Sequence, residues 1–124
     1  TLFPYTTLFR SIAVKMNDRF WLEGTTLTVF LPHELDHPVA DAVRKEIEKT
    51  AGKTYIRTII FDFSETEFMD SSGVGLLMGR YRSLGMRKNC IHAVGVNSHI
   101  ERLMRLSGLH RYIDIRKAGE EEKV

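Results

Sequence analysis

Two stretches of this chain carry residue types that could do chemistry. Asp70-Ser71-Ser72-Gly73-Val74-Gly75 sets two hydroxyls beside a carboxylate and two glycines, and His33-Glu34-Leu35-Asp36-His37 spells the H-E-x-x-H string of zinc hydrolases. A zinc site of that kind needs both imidazoles on one face of one helix, with a further ligand beyond. Here Pro32 precedes the string and Pro38 follows it, and a residue before proline is pushed out of the α region. The string therefore reads as a loop in which Asp36 or His37 caps a helix that Pro38 helps to start.

The serine stretch fits no catalytic pattern either. Gly73-Val74-Gly75-Leu76-Leu77-Met78-Gly79 misses the dinucleotide fingerprint because its third glycine comes one place late and no acid lies about 20 residues on. It has no lysine for a P-loop, and the residue two before either serine is Met69 or Asp70, not the glycine of a nucleophile elbow. Asp70, Ser71 and Ser72 are all good helix caps, but a cap needs only one of them. Glycines near a helix start cost up to about 1 kcal/mol each relative to alanine, so Gly73 and Gly75 suggest the close approach of another backbone.

What must position these residues is a strand-to-helix junction. Upstream, Thr58 to Phe63 is an apolar, β-branched and aromatic run whose continuity predicts a central strand buried on both faces. Downstream, Val74, Leu77, Met78 and Tyr81 recur at helical spacing in a helix expected from Ser72 to Leu84 and stopped by Gly85. Such a junction offers unpaired backbone N–H groups and the positive end of a helix dipole. Before it come strands at Val14 to Leu22 and Thr26 to Leu31, joined by the glycine-bearing turn Glu23-Gly24-Thr25. A helix follows from Pro38 to about Thr50, with Val39, Ala42, Val43 and Ile47 on one face and Gly52 as a left-handed cap. After it, Cys90 to Val94 reads as a strand holding a lone His92. Ser98-His99-Ile100-Glu101 reads as a capping box opening a helix that buries Ile100, Leu103 and Met104, and Tyr112 to Ile115 as a last strand. Strands interleaved with helices predict an α/β layer with right-handed crossovers and a mixed sheet of four to five strands. Loops at the C-terminal ends of its parallel strands share one rim, so the Glu34–His37 and Asp70–Gly75 segments are expected to form one surface.

The combination of Phe68-Met69-Asp70-Ser71-Ser72-Gly73-Val74-Gly75 with Glu34-Leu35-Asp36-His37 resembles the anti-sigma factor antagonists of the STAS domain family, most of all those of sporulation. The similarity runs from about Ala13 to Ile115. The resemblance implies a STAS-like single domain and a non-enzymatic binding module. Its serine after the aspartate, Ser71 here, would be phosphorylated by the partner, an anti-sigma factor that is itself a serine kinase, and reset by a serine phosphatase. It further implies a partner surface made of Glu34, Asp36, Asp70, Ser71, Ser72, Gly73 and Gly75, with no catalytic residue, metal or cofactor. In that family the first loop reads Gly-Glu-Leu-Asp, so His33 here stands in place of glycine. Two other readings remain beside this one: a scaffold subunit of a STAS signalling assembly, and a nucleotide- or zinc-dependent enzyme.

Length and composition are compatible with this. The 124 residues, 43% hydrophobic and 27% charged, make one ordinary domain able to bury a single core. A formal charge of +2 suggests no nucleic-acid partner, no apolar run is long enough for a membrane span, and the lone Cys90 in an apolar run fits a cytoplasmic, reducing setting. The domain is expected over 12–117. The repetitive start, Thr1-Leu2-Phe3 and Thr7-Leu8-Phe9, reads as a segment foreign to it over 1–11, or else as an extra edge strand or partner-binding arm. Residues 118–124, with Glu120-Glu121-Glu122, read as a solvated charged tail.

Overall fold

The computed structural model describes residues 13–17 and 19–119. The expectations for 1–11 and for most of the tail lie outside them. The main sheet takes β1 (Ala13–Asn17), β2 (Phe20–Glu23), β3 (Thr26–Phe30), β5 (Thr58–Asp62), β7 (Ile91–Val96) and β8 (Asp114–Lys117), in the spatial order β1-β2-β3-β5-β7-β8. The first three strands are antiparallel neighbours and the others run parallel. Three helices make the crossovers: α1 (His37–Ala51), α2 (Ser71–Ser83) and α3 (Ser98–Leu106). Because every crossover moves the chain one step in the same direction, a right-handed connection places all three on one face.

The sheet holds one strand more than the interleaving predicts. Val14 to Leu22 is not a single strand but a tight hairpin in which Asn17 pairs with Phe20, and the Asn-Asp-Arg sequence there is rich in turn formers. The central strand also differs from expectation. Ile59 and Phe61 are fully buried under the helices, whereas Thr58, Ile60 and Asp62 are half-exposed on the opposite face. An unbroken apolar run concealed the alternation, because Ile60 sits on the open side in a row with Thr28 and His92. The core gathers Leu27, Val29, Ile47, Phe61, Phe63, Leu77, Ile91, Ile100 and Met104 between sheet and helices.

Several boundaries move for local reasons. Gly52 is right-handed at φ −71, its N–H still bonded to Glu48 O, so it continues the helical path and is not a left-handed cap. The left-handed glycines among the described residues are Gly24, Gly85, Gly95, Gly108 and Gly119, and Gly85 does follow the end of α2. No capping box opens α3: Asn97, one residue earlier, accepts from Ile100 N at 2.8 Å, leaving Glu101 to pair with Arg105 at 2.8 Å. The last strand begins at Asp114 because Leu109–Arg111 forms a 3-10 turn that Tyr112 closes.

Candidate functional site

The two motifs are joined by a second, two-stranded sheet. β4 (Glu34–Leu35) pairs in parallel with β6 (Phe68–Met69), Glu34 opposite Phe68 and Leu35 opposite Met69. Glu67 N donates to His33 O at 2.8 Å, and Asp70 N to Leu35 O at 3.3 Å. Thr66, buried, donates its hydroxyl to Pro32 O at 2.8 Å. The inward members, Leu35 and Met69, are 0% and 2% exposed, so each contributes roughly 1.5–3 kcal/mol of apolar burial to the clasp. Their outward neighbours, Glu34 and Phe68, face solvent.

Each short strand then leads into a helix in the same way. Asp36 caps α1 with backbone angles of −103° and −173°, and Asp70 caps α2 with −104° and −170°. The Asp36 carboxylate accepts from Val39 N at 3.2 Å, and that of Asp70 from Ser72 N at 2.8 Å. Strand register and cap geometry thus set two helix starts side by side in equivalent positions. His37 is the first residue of α1, and Ser71 is the first residue of α2.

Among the predicted site residues, Ser71 is exposed and Ser72 half-exposed, with Ser72 Oγ 3.5 Å from His37 Nδ1 across the gap between the helices. Glu34, Asp36, Asp70, Ser71 and Ser72 all lie at this clasp. Gly73 and Gly75 have different surroundings. A Cβ on Gly73 would fall onto Met69 Cγ and Sδ and within 3.0 Å of Leu35 Cδ2. The close approach at Gly73 is therefore by side chains, not by another backbone. A Cβ on Gly75 would meet nothing within 4 Å, and Gly75 is exposed. Gly75 leaves an open strip on α2 beyond the serines.

Phe68, outside the predicted site residues, is 46% exposed on β6 opposite Glu34, and His37 reads from the sequence only as a cap or a metal ligand. The signal was present as a parallel between Leu35-Asp36-His37 and Met69-Asp70-Ser71, an apolar residue and a cap before each helix. The H-E-x-x-H string itself runs through a bend at His33, strand β4 and the start of α1, so its two imidazoles do not share a helical face. His33 Nε2 instead lies 3.2 Å from Glu67 Oε1. A groove of about 640 Å³ beside α1, lined chiefly by Phe20, Pro32, Pro38, Val39, Ala42 and Val43, includes neither serine. Among the described residues no helix is long and apolar enough to cross a membrane.

The STAS domain model matches residues 12–122. The chain belongs to the STAS domain family. It is 33% identical over 89 residues to the anti-sigma F factor antagonist of Paenibacillus polymyxa, covering 72% of this chain and 76% of that one. The STAS domain also resembles the solved structure of the anti-sigma factor antagonist SpoIIAA in its unphosphorylated form, at 29% identity, 90% of each chain and a TM-score of 0.67. The phosphorylated form of the Bacillus cell fate determinant SpoIIAA matches at 29% identity and a TM-score of 0.60, over 90% of this chain and 93% of that one.

Proposed function

We propose that this STAS domain is a cytoplasmic anti-sigma factor antagonist, a binding module that captures an anti-sigma factor serine kinase and so frees a sigma factor. Phosphorylation of Ser71 ends the capture and a serine phosphatase restores it. Neither nucleic acid nor a membrane is a partner in this reading. The observation that carries it is the position of Ser71, exposed at the first turn of α2 and clasped beside Glu34 and Asp36 by the small sheet. The relatives support it, since they are antagonists of anti-sigma factors and one has a solved phosphorylated form.

The energetics follow from charge. Phosphorylation adds about −1.5 to −2 charge units at pH 7. A helix N-terminus tolerates such an anion, so the free domain keeps its fold. In a complex the dianion would be pressed among Glu34, Asp36 and Asp70 and stripped of water, which costs several kcal/mol if it is left unpaired. Driving a binding equilibrium from 99:1 to 1:99 takes about 5.5 kcal/mol, so electrostatic exclusion is large enough without a conformational change. The test is phosphopeptide mass spectrometry after incubation with ATP and a candidate anti-sigma kinase. One phosphate on Ser71, lost in Ser71→Ala, is the expected result; no phosphate with any such kinase would move the reading to a phosphorylation-independent scaffold.

A further inference from the structure

The clasp is short of positive charge. The segments His33–Pro38 and Glu67–Gly75 contain no lysine or arginine, but they hold Glu34, Asp36, Glu67 and Asp70. Their only side chains able to become cationic are His33 and His37. His33 is already matched with Glu67 at 3.2 Å. Among the described residues His37 makes a polar contact only with the neutral hydroxyl of Ser72, at 3.5 Å, and it is exposed. A phosphate on Ser71 would therefore arrive on the neighbour of the serine that this imidazole contacts, and the imidazole has no carboxylate partner among the described residues. That imidazole occupies on α1 the place Ser71 occupies on α2.

We propose that His37 is the internal counter-charge of phosphorylated Ser71. It rests on the reading of Ser71 as the phosphorylated residue. When the phosphate is attached, the imidazole takes a proton from solvent, turns from Ser72 and donates to a phosphate oxygen. No covalent bond to His37 forms, and the only species exchanged is that proton. The dianion favours the charged imidazole and the imidazolium favours the doubly ionised phosphate. The acids of the clasp are Glu34 on β4, Asp36 and Asp70 at the two caps, and Glu67 before β6, while His99 stands in the first turn of α3, whose cap Asn97 bonds Glu67 O at 3.4 Å. His37 thus holds the phosphate on the domain's own surface and offsets part of the repulsion from these acids.

The experiment uses full-length chain carrying phosphoserine installed at position 71 during translation, so that it needs no kinase. The pH midpoint of the second phosphate ionisation is followed by phosphorus NMR in the parent and in His37→Gln, His33→Gln and His99→Gln. The expected result is a midpoint about half a pH unit higher in His37→Gln than in the parent, roughly a threefold change in proton affinity, with the other two variants close to the parent. In the parent, the His37 ring nitrogens should also shift toward imidazolium values at pH 7 on phosphorylation, a measurement that needs no variant. An unchanged midpoint in His37→Gln with ring signals indifferent to phosphorylation would overturn the proposal, as would a larger effect from His33 or His99. Failure of a kinase to label Ser71 would instead count against the switch itself, because the installed phosphate makes the two outcomes separable.

Discussion

The starts of α1 and α2 share strand register, cap residue and backbone angles, yet their first turns are built for different ends. On α1 the turn is His37-Pro38-Val39, stiffened by proline and lining the apolar groove; on α2 it is Ser71-Ser72-Gly73, with small side chains and an exposed hydroxyl. The same local geometry therefore does not fix what a site does. The scaffold places the two turns, and side-chain size and chemistry decide which one is fixed and which is open to change.

The largest effect expected from breaking this contrast is at Gly73. Gly73→Ala forces Met69 and Leu35 apart and should lower stability by about 1–3 kcal/mol in urea denaturation, as overpacking does. Gly75→Ala, two residues on in open space, should raise stability by a few tenths to about 1 kcal/mol, while weakening kinase binding if a partner lies against that strip. Equal or opposite responses at the two glycines would contradict their assigned surroundings. Next come the caps. Asp36→Ala and Asp70→Ala should each cost about 1 kcal/mol, and a large inequality between them would show that the two helix starts are not energetically equivalent. Ser71→Asp should leave stability nearly unchanged and weaken partner binding, as isothermal titration would record; binding as tight as the parent's would argue against exclusion by charge.

The smallest effect lies away from both helix starts, at the sheet edge. Burial works against the charged form of Asp114, but hydrogen bonds from His92 and Arg116, both at 3.1 Å, hold its pKa below the ordinary value. A carboxylate depressed in the folded state contributes stability that is present above its unfolded pKa of about 4 and is lost as pH falls through the folded value. Asp114→Asn should therefore lose a little stability at pH 7 and flatten the acid limb of the stability profile below about pH 4, a difference visible in denaturation midpoints.

Much of this architecture was legible from pattern. The serine junction, the strand before it, the helix after it and the expectation that two distant loops share one rim all followed from apolar spacing and the positions of glycine and proline. What escaped was structure with too few residues to show a period. Two-residue strands such as Glu34–Leu35 and Phe68–Met69 have no alternation to detect, and only their parallel Leu-Asp and Met-Asp endings hinted at them. Likewise Ile60 could not be assigned to a face while its neighbours were all apolar, and Asn97 was eclipsed as a cap by the more familiar serine–glutamate spacing that follows it. The exposure of Phe68 depends on Met69 taking the inward place, which is a matter of register and not of residue type.

The clasp also bears on the order in which the molecule forms. β4 and β6 bring together positions 34 residues apart in the chain, and the intervening loop contains α1 and β5. Closing so long a loop for two pairs of residues is entropically unfavourable until the enclosed elements have docked. The small sheet is therefore a late event on the folding path, and truncating Leu35 should speed unfolding while leaving the refolding rate nearly unchanged. Newly made chains would assemble the main sheet and its helices first and the clasp last, so that a partner reading the clasp, as proposed above, would meet a domain already complete.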